Sequence, residues 1–445
     1  MKEKVWQIFF YIILGIWTSI IGSTLYYMIT GDEILIDTSI NLNLFILPFL
    51  IIILFYTFLT VVLFVIYLIT DRKVKLMQNI AYSKFLRNSK GDKGLCTVII
   101  ASRNEDSVIR RTVEECLKQT YVNIEIVVVC HNCTDKTFEE ASVNDARVRV
   151  FDYKTKEAGK GIALNFGVQQ SHGEYILILD ADGILSKDFI EKALPLLKDY
   201  AAVQGRYIPS NRNYSLITQL LSLEGDLWST PIMTARTFLD KRCGLGGTGY
   251  IIRKDILLNV GGFTNHLVDD YELTCRMLKK KYRIVFAPFC INYDEKPPNL
   301  DLMLRQRARW AKGFIDLLRQ RIIEPTDILG FIFWLSPIVV FITMTLFFVV
   351  GFAILFNIVF GYFPYYYTSI TISQWLVLTG ILVIIQSLVL TKQYGKNGIK
   401  HAIYLPIFIP FILYVFVTFI RALGIKSWGN TKTMHGFTKQ SKKQK

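Results

Sequence analysis

Two patterns of apolar and polar positions divide the chain. Residues 5–29 and 42–69 are uncharged and almost wholly apolar, and each exceeds the ~20 residues a helix needs to cross a bilayer. Further apolar runs occupy 328–363, 370–390 and 402–420. Between these blocks the apolar stretches are short and separated by polar turns. LCTVII at 95–100 reads as a first strand, followed by a loop over 101–105. Residues 110–119 have helical spacing, 125–129 form a second strand, 135–141 open another helix, and 148–153 form a third strand. EYILILDADG at 174–183 is a continuous apolar run that stops at Asp180 and Asp182. Such a run is the pattern of a central strand buried on both faces. Strands alternating with helices predict a doubly wound, parallel α/β domain.

The predicted organisation is therefore two N-terminal transmembrane helices (1–70), a water-soluble α/β domain (71–327), a C-terminal transmembrane region (328–425) and a basic tail (426–445). The first apolar run is too long for a signal peptide and lacks a small-residue cleavage site, so it reads as an uncleaved anchor. Lys2 and Lys4 precede it, Asp32, Glu33 and Asp37 follow it, and DRKVK (71–75) follows the second run. Basic loops stay on the cytoplasmic side, which predicts a cytosolic domain on a multi-pass protein of the cell membrane. Three C-terminal crossings would put the basic tail outside, against the same rule. Either residues 405–410, with their two prolines, are a half-span or 328–363 folds back on itself; a cytosolic tail is expected.

Composition changes this picture little. The hydrophobic fraction is 52%, with 31 Phe and 23 Tyr, as membrane segments require. The formal net charge of +15 suggests an anionic partner. The basic residues cluster at membrane edges without a nucleic-acid motif, so anionic membrane lipids and an anionic nucleotide fit better than DNA or RNA. All seven cysteines lie in the 71–327 domain, an odd number in a reducing compartment, which argues against structural disulfides. Cys130 and Cys133 form a CxxC open to a redox reading, while zinc lacks a second ligand pair at suitable spacing.

Ligands of open α/β sheets sit beyond the carboxyl ends of the strands. Asp180 and Asp182 are therefore placed to hold a divalent cation that holds phosphates in turn, although Asp is also an ordinary turn residue there. Asn104 and Glu105, in the loop after the first strand, join them as candidate donor-binding residues. In GKGIALNFG (159–167), glycines allow close approach of a ligand and Lys160 can meet an anion; the alternative is a glycine-punctuated helix start. RCGLGGTGYII (242–252) is a glycine-rich loop running into a strand, ahead of Asp269-Asp270-Tyr271-Glu272. That acidic pair is either a favourable charge at a helix start or the seat of a general base. Gln306, Arg309 and Trp310 stand at i, i+3 and i+4 and share a helix face. Trp stacks on sugar and Arg takes phosphate oxygens, though a basic-aromatic helix also suits a membrane interface.

Taken in this order over residues 97–313, the D-x-D, the acidic pair and Q-x-x-R-W resemble the family 2 glycosyltransferases. The resemblance is to their membrane-embedded synthases of cellulose, chitin, hyaluronan and poly-N-acetylglucosamine. It implies a GT-A, Rossmann-like cytosolic domain inserted between transmembrane helices, a UDP-sugar donor such as UDP-glucose or UDP-N-acetylglucosamine, and Mg²⁺ or Mn²⁺. Asp180 and Asp182 are implied as metal and donor ligands, Lys160 as a donor contact, Asp270 as catalytic base, and Gln306, Arg309 and Trp310 at the acceptor and diphosphate end. Asp269 is a further candidate. The family's Asp-Asp-Gly after its second strand is replaced by Cys130-His131-Asn132, which leaves His131 as a weak candidate for nucleotide contact. Ser427-Trp428-Gly429-Asn430-Thr431-Lys432 resembles the family's gating loop with an extra Asn, making Trp428 another. The acceptor stays open between a growing β-linked polysaccharide, with possible accessory polysaccharide-export proteins, and a membrane lipid taking one sugar. A nucleotide-binding receptor without catalysis is the reading from another class.

Overall fold

A computed structural model describes residues 42–88, 94–320 and 372–405, together with 322, 418, 421, 422 and 424. The predicted segments 5–29 and 328–363, most of 402–420, the basic tail and Trp428 lie outside the described residues.

The α/β domain is an eight-stranded sheet in the order β3-β2-β1-β4-β7-β6-β8-β5. Its first half comprises β1 (Cys96–Ser102), β2 (Ile124–His131), β3 (Val148–Tyr153) and β4 (Tyr175–Asp180), all mutually parallel. The helices between them are α2 (Ile109–Cys116), α3 (Thr137–Ala141) and α4 (Lys160–Gln170). α1 is the long N-terminal helix Leu42–Asn88. The apolar runs in β1, β2 and β4 follow from burial on both faces. Val98, Ile100, Ile126, Val128, Leu177 and Leu179 enter one core, while Ile99, Val127, Val129, Ile176 and Ile178 enter the other.

The second half departs from the parallel expectation. β5 (Ile184–Leu185) is followed by α5 (Phe189–Ala193), β6 (Ala202–Pro209), α6 (Leu216–Glu224) and α7 (Thr230–Leu239). After them come β7 (Tyr250–Arg253), α8 (Lys254–Asn259), α9 (Asp269–Lys279), β8 (Ile284–Asp294) and α10 (Leu300–Arg319). β7 runs antiparallel between β4 and β6. The strand entered from the glycine-rich loop thus comes back down beside β4, and its loop lies over the end where the aspartates sit. No local pattern distinguishes an antiparallel insertion of four residues from a parallel strand, since both faces are buried.

α1 packs through the second half of its apolar stretch on α7 and on α11 (Ile372–Tyr394); Phe58, Leu63, Tyr67, Ile232, Val389 and Leu390 share one cluster. Farther along, Gln78 on α1 donates to the Phe286 carbonyl of β8 at 2.8 Å. A short helix α12 (Gly398–Ala402) follows α11. Among the described residues no helix is long and apolar enough to cross a membrane; the side chains of α1 are described over 58–83 only.

Candidate active site

Four elements bring charged side chains to one place. β4 ends at Asp180, α4 begins at Lys160, α9 begins at Asp269 and Asp270, and α10 carries Arg309 at its middle. The Lys160 ammonium donates to Asp180 Oδ1 at 2.6 Å and to the Gly247 carbonyl at 2.8 Å. A Cβ added at Gly247 would stand 3.7 Å from Asp270 Oδ2 and 3.7 Å from Lys160 Nζ, so this glycine lies between base candidate and cation.

The glycine-rich loop is held residue by residue. Leu245 N–H donates to Thr274 Oγ1 at 2.9 Å, Gly246 N–H to Gln204 Oε1 at 2.7 Å, and Gly249 N–H to the Ile178 carbonyl at 2.8 Å. Thr248 Oγ1 in turn accepts the Asp180 N–H at 2.8 Å. Gly249 has φ +61°, a conformation that favours glycine, and a side chain on Gly246 would collide with the Tyr207 hydroxyl. Tyr207 donates to the Thr248 carbonyl at 2.9 Å and accepts from Gln204 Nε2 at 3.0 Å. Gln204 and Tyr207 are the supports the sequence did not reveal. They lie in AVQGRYIP, which carries no motif, and the polar Gln204 within an apolar run was the one available signal.

The electrostatics follow from burial. Asp270 is pushed up to about 7 by burial and by the neighbouring Asp269 carboxylate, against the Tyr271 N–H, Lys160 and Arg309. Asp269 is raised by burial, opposed by Lys160. Burial pulls Lys160 down, but Asp180, Asp269 and Asp270 outweigh it and keep the ammonium charged. Arg309 is lowered by burial while all three carboxylates hold it protonated. Two cations and three carboxylates thus stand together, Asp269 buried and Asp180 still open to solvent, a setting in which a carboxylate acquires a useful base strength.

The other predicted residues fall as follows. Glu272 is engaged elsewhere: Arg276 binds both its oxygens at 2.7 and 2.8 Å, and Thr264 Oγ1 donates at 2.7 Å. Asn104 has φ 59° and its Oδ1 accepts the Thr134 N–H at 2.9 Å, joining the loops after β1 and β2. The Glu105 N–H donates to Thr137 Oγ1 at 2.8 Å in the same junction. Asp135 accepts from the Thr137 N–H at 3.1 Å and so caps this turn. His131 is buried, lies 2.7 Å from Thr155 Oγ1, and is shifted down by burial. Its ring meets Tyr153 at 5.5 Å, so it is already packed within the chain. Gln306 is half-buried one turn before Arg309. Trp310 is 38% exposed and its ring carries the Arg307 guanidinium at 4.4 Å. Arg307 pairs with Glu224 at 2.7 Å, which ties this part of α10 to α6. Gly159 and Gly161 are required by the chain itself, because a side chain on either would strike Asn265 or the Thr264 carbonyl.

Among the described residues no group of three or more His, Cys, Asp or Glu side chains could hold a metal ion. Asp180 and Asp182 supply hard oxygen donors for a site completed by diphosphate and water, the arrangement Mg²⁺ and Mn²⁺ accept. The residues present fit such an ion only together with a nucleotide. All seven cysteines are free, Cys133 being pulled down to about 7 chiefly by its hydrogen bond with Cys130.

Residues 94–313 match the family model described as "Glycosyltransferase like family 2". Over these residues the α/β domain is similar to the family 2 glycosyltransferases, and its fold is a GT-A-like Rossmann fold. The chain is 31% identical over 249 residues to "Probable glycosyltransferase YdaM" of Bacillus subtilis, covering 51% of this chain and 59% of that protein. It is 26% identical over 240 residues to the Beta-monoglucosyldiacylglycerol synthase of Nostoc, covering 52% and 51%. Against the Poly-beta-1,6-N-acetyl-D-glucosamine synthase of Staphylococcus aureus it is 25% identical over 228 residues, covering 50% and 55%. The chain thus spans between half and three-fifths of the length of these curated relatives. A Mannosyltransferase from Pyrobaculum calidifontis, solved in complex with GDP-Man and Mn²⁺, superposes with a TM-score of 0.50 at 17% identity, covering 81% of this chain and 98% of that one.

Proposed function

We propose that this protein is an inverting glycosyltransferase that moves a hexose from a nucleotide-sugar, UDP-glucose or UDP-N-acetylglucosamine, to an acceptor hydroxyl at the cell membrane. The observation that carries the reading is the convergence of Asp270, on the first turn of α9, with Lys160, Arg309 and the end of β4, where desolvation and Asp269 push its carboxyl up to about 7. Its oxygen takes the acceptor's proton as that hydroxyl attacks the anomeric carbon, and the bond to the diphosphate breaks on the opposite face. One displacement turns an α-linked donor into a β-linked product. Lys160 and Arg309 supply fixed positive charge for the departing diphosphate, and burial makes that charge effective. A Mg²⁺ or Mn²⁺ ion held by Asp182 and Asp180 would neutralise diphosphate charge, as the Mn²⁺ bound in the Pyrobaculum enzyme supports. On this reading Asn104 and Glu105 serve the nucleotide, and Gln306 and Trp310 serve the acceptor.

The first acceptor reading is a growing β-linked polysaccharide passed across the membrane, supported by the resemblance to the poly-N-acetylglucosamine synthase. A second is a membrane lipid that receives one sugar, supported by a comparable similarity to the glucosyldiacylglycerol synthase, 26% against 25% identity. Full-length protein in nanodiscs, given radiolabelled nucleotide-sugars with Mg²⁺ or Mn²⁺, is expected to incorporate label. High-molecular-weight product identifies the polymer, and a single glycolipid extractable into organic solvent identifies the lipid. No transfer from any of a broad donor panel overturns the enzyme reading.

A further inference from the structure

Away from the donor cleft lies a cavity of about 360 Å³ between α6 and the turn joining α11 to α12, lined by Arg212, Gln219, Asn397, Lys400 and His401. None of these residues serves sugar transfer. The cavity is built on a fixed frame. The helix α6 passes through a π-turn, Gly225–Ser229, before α7, and this turn buries Asp226 to 2% exposure. Arg212 donates through Nη2 to Asp226 Oδ2 at 2.5 Å and to the Tyr394 hydroxyl at 2.8 Å. Tyr394 donates to Asp226 Oδ1 at 2.5 Å, and Gln393 donates to the Asp226 carbonyl at 2.6 Å. Arg206 comes to the same carboxylate at 3.5 Å and to Gln393 Oε1 at 2.7 Å.

Two guanidiniums therefore share one carboxylate, leaving positive charge in excess, to which exposed Lys400 adds at the rim. Arg212 Nη1 lies 3.4 Å from His401 Nδ1, so its second face is turned toward the cavity wall. An arginine held in place, with a lysine at the rim, suits an anion with several oxygen acceptors, and a phosphate offers more of them than a carboxylate does. Leu223 and Tyr404 line the same cavity, giving it an apolar side. The helix leading into it, residues 372–391, contains no charged side chain. A ligand that satisfies both halves carries a phosphate next to hydrocarbon.

We propose that this cavity binds the phosphate headgroup of an anionic glycerophospholipid, with Arg212 and Lys400 on the phosphate and Leu223 and Tyr404 on the first methylenes. The inference rests on the membrane placement proposed above, but not on the transfer chemistry. The bound lipid fixes α11 and α12 against the glycosyltransferase domain through Asp226.

Native mass spectrometry of the full chain in detergent tests this, with phosphatidylglycerol, phosphatidylcholine and inorganic phosphate as separate probes. Phosphatidylglycerol is expected to bind at least about tenfold more tightly than phosphatidylcholine, and Lys400→Glu or Asn397→Asp to lower its affinity by about tenfold, the equivalent of 1.4 kcal/mol. Both positions are exposed, so the variants keep the fold, which a thermal melt verifies. Equal binding of the two lipids, or unchanged affinity in both variants, overturns the site. Inorganic phosphate displacing phosphatidylglycerol at comparable concentration shows a free-phosphate site and overturns the lipid assignment. Sugar transfer is measured on the same samples: lipid selectivity without transfer defeats the proposed function and upholds this one, and transfer without lipid selectivity does the reverse.

Discussion

Two buried carboxylate centres stand at opposite ends of the same sheet, and burial has opposite outcomes in them. Glu125 lies near the amino end of β2, and Asp269 with Asp270 lies beyond the carboxyl end of β4. Burial raises Glu125, but this is outweighed by donors: the Thr97 hydroxyl at 2.6 Å, the His172 N–H at 2.6 Å and Arg149 at 2.7 Å. The result is a carboxylate lowered to about 2, ionised at every physiological pH. Asp270 has the Tyr271 N–H at 2.7 Å and a second carboxylate beside it, and rises to about 7. A buried acid that is fully hydrogen-bonded joins strands; one left beside a like charge can exchange a proton.

The largest expected effect comes from Asp270→Asn, which keeps size and hydrogen bonding but cannot take a proton. Turnover should fall by ~10²-fold or more while UDP affinity, measured by calorimetry, stays within a few-fold. Wild-type turnover should rise with pH through about 7, and the variant's residual rate should lose that dependence. The sign for stability is opposite. Between the ordinary 3.8 and about 7 the folded chain keeps a proton that the unfolded chain has released, so stability falls as pH rises through this window. The variant should therefore melt higher than wild type at pH 8. Near-normal turnover in Asp270→Asn would move the base to Asp269, because Glu272 is occupied by Arg276 and Thr264.

Glu125→Gln addresses the other end. The drop from 4.5 to about 2 is equivalent to roughly 1–3 kcal/mol of stability after solvent screening, present above 4.5 and lost as pH falls toward 2. Denaturant titration should show a loss of that order at pH 7 and little difference at pH 2, with turnover per folded molecule unchanged. A lowered turnover at equal stability would end the distinction between the two centres. Asp182→Asn should weaken UDP binding roughly tenfold and remove its dependence on Mg²⁺ or Mn²⁺, since one hard ligand is lost. Retained metal dependence would assign the ion to other residues. The smallest change is expected from Thr248→Val, which deletes the acceptor of the Asp180 N–H. Losing one such bond costs about 1 kcal/mol, so kcat/KM should drop by several-fold through poorer placement of Asp180. An unchanged kcat/KM would mean that β4 alone positions Asp180.

Most elements and the chemical inventory were legible in the order of the residues. Strands β1, β2 and β4 were legible because burial on both faces makes most of their residues apolar, and Asp180 because a charged residue must end such a run. The helix beginning at Asp269 and the helix bearing Arg309 were legible from spacing, because a helix face repeats locally. The rest came from contacts between parts of the chain that lie far apart. The antiparallel β7 could not be read, because strand direction depends on the partner and not on the strand's own residues. Gln204 and Tyr207 bear on the site through contacts made across more than 40 residues of chain, to Gly246 and Thr248. Whether a carboxylate is held ionised like Glu125 or left proton-binding like Asp270 depends on which donors the fold carries to it, and a one-dimensional pattern does not encode distances between residues remote in the chain.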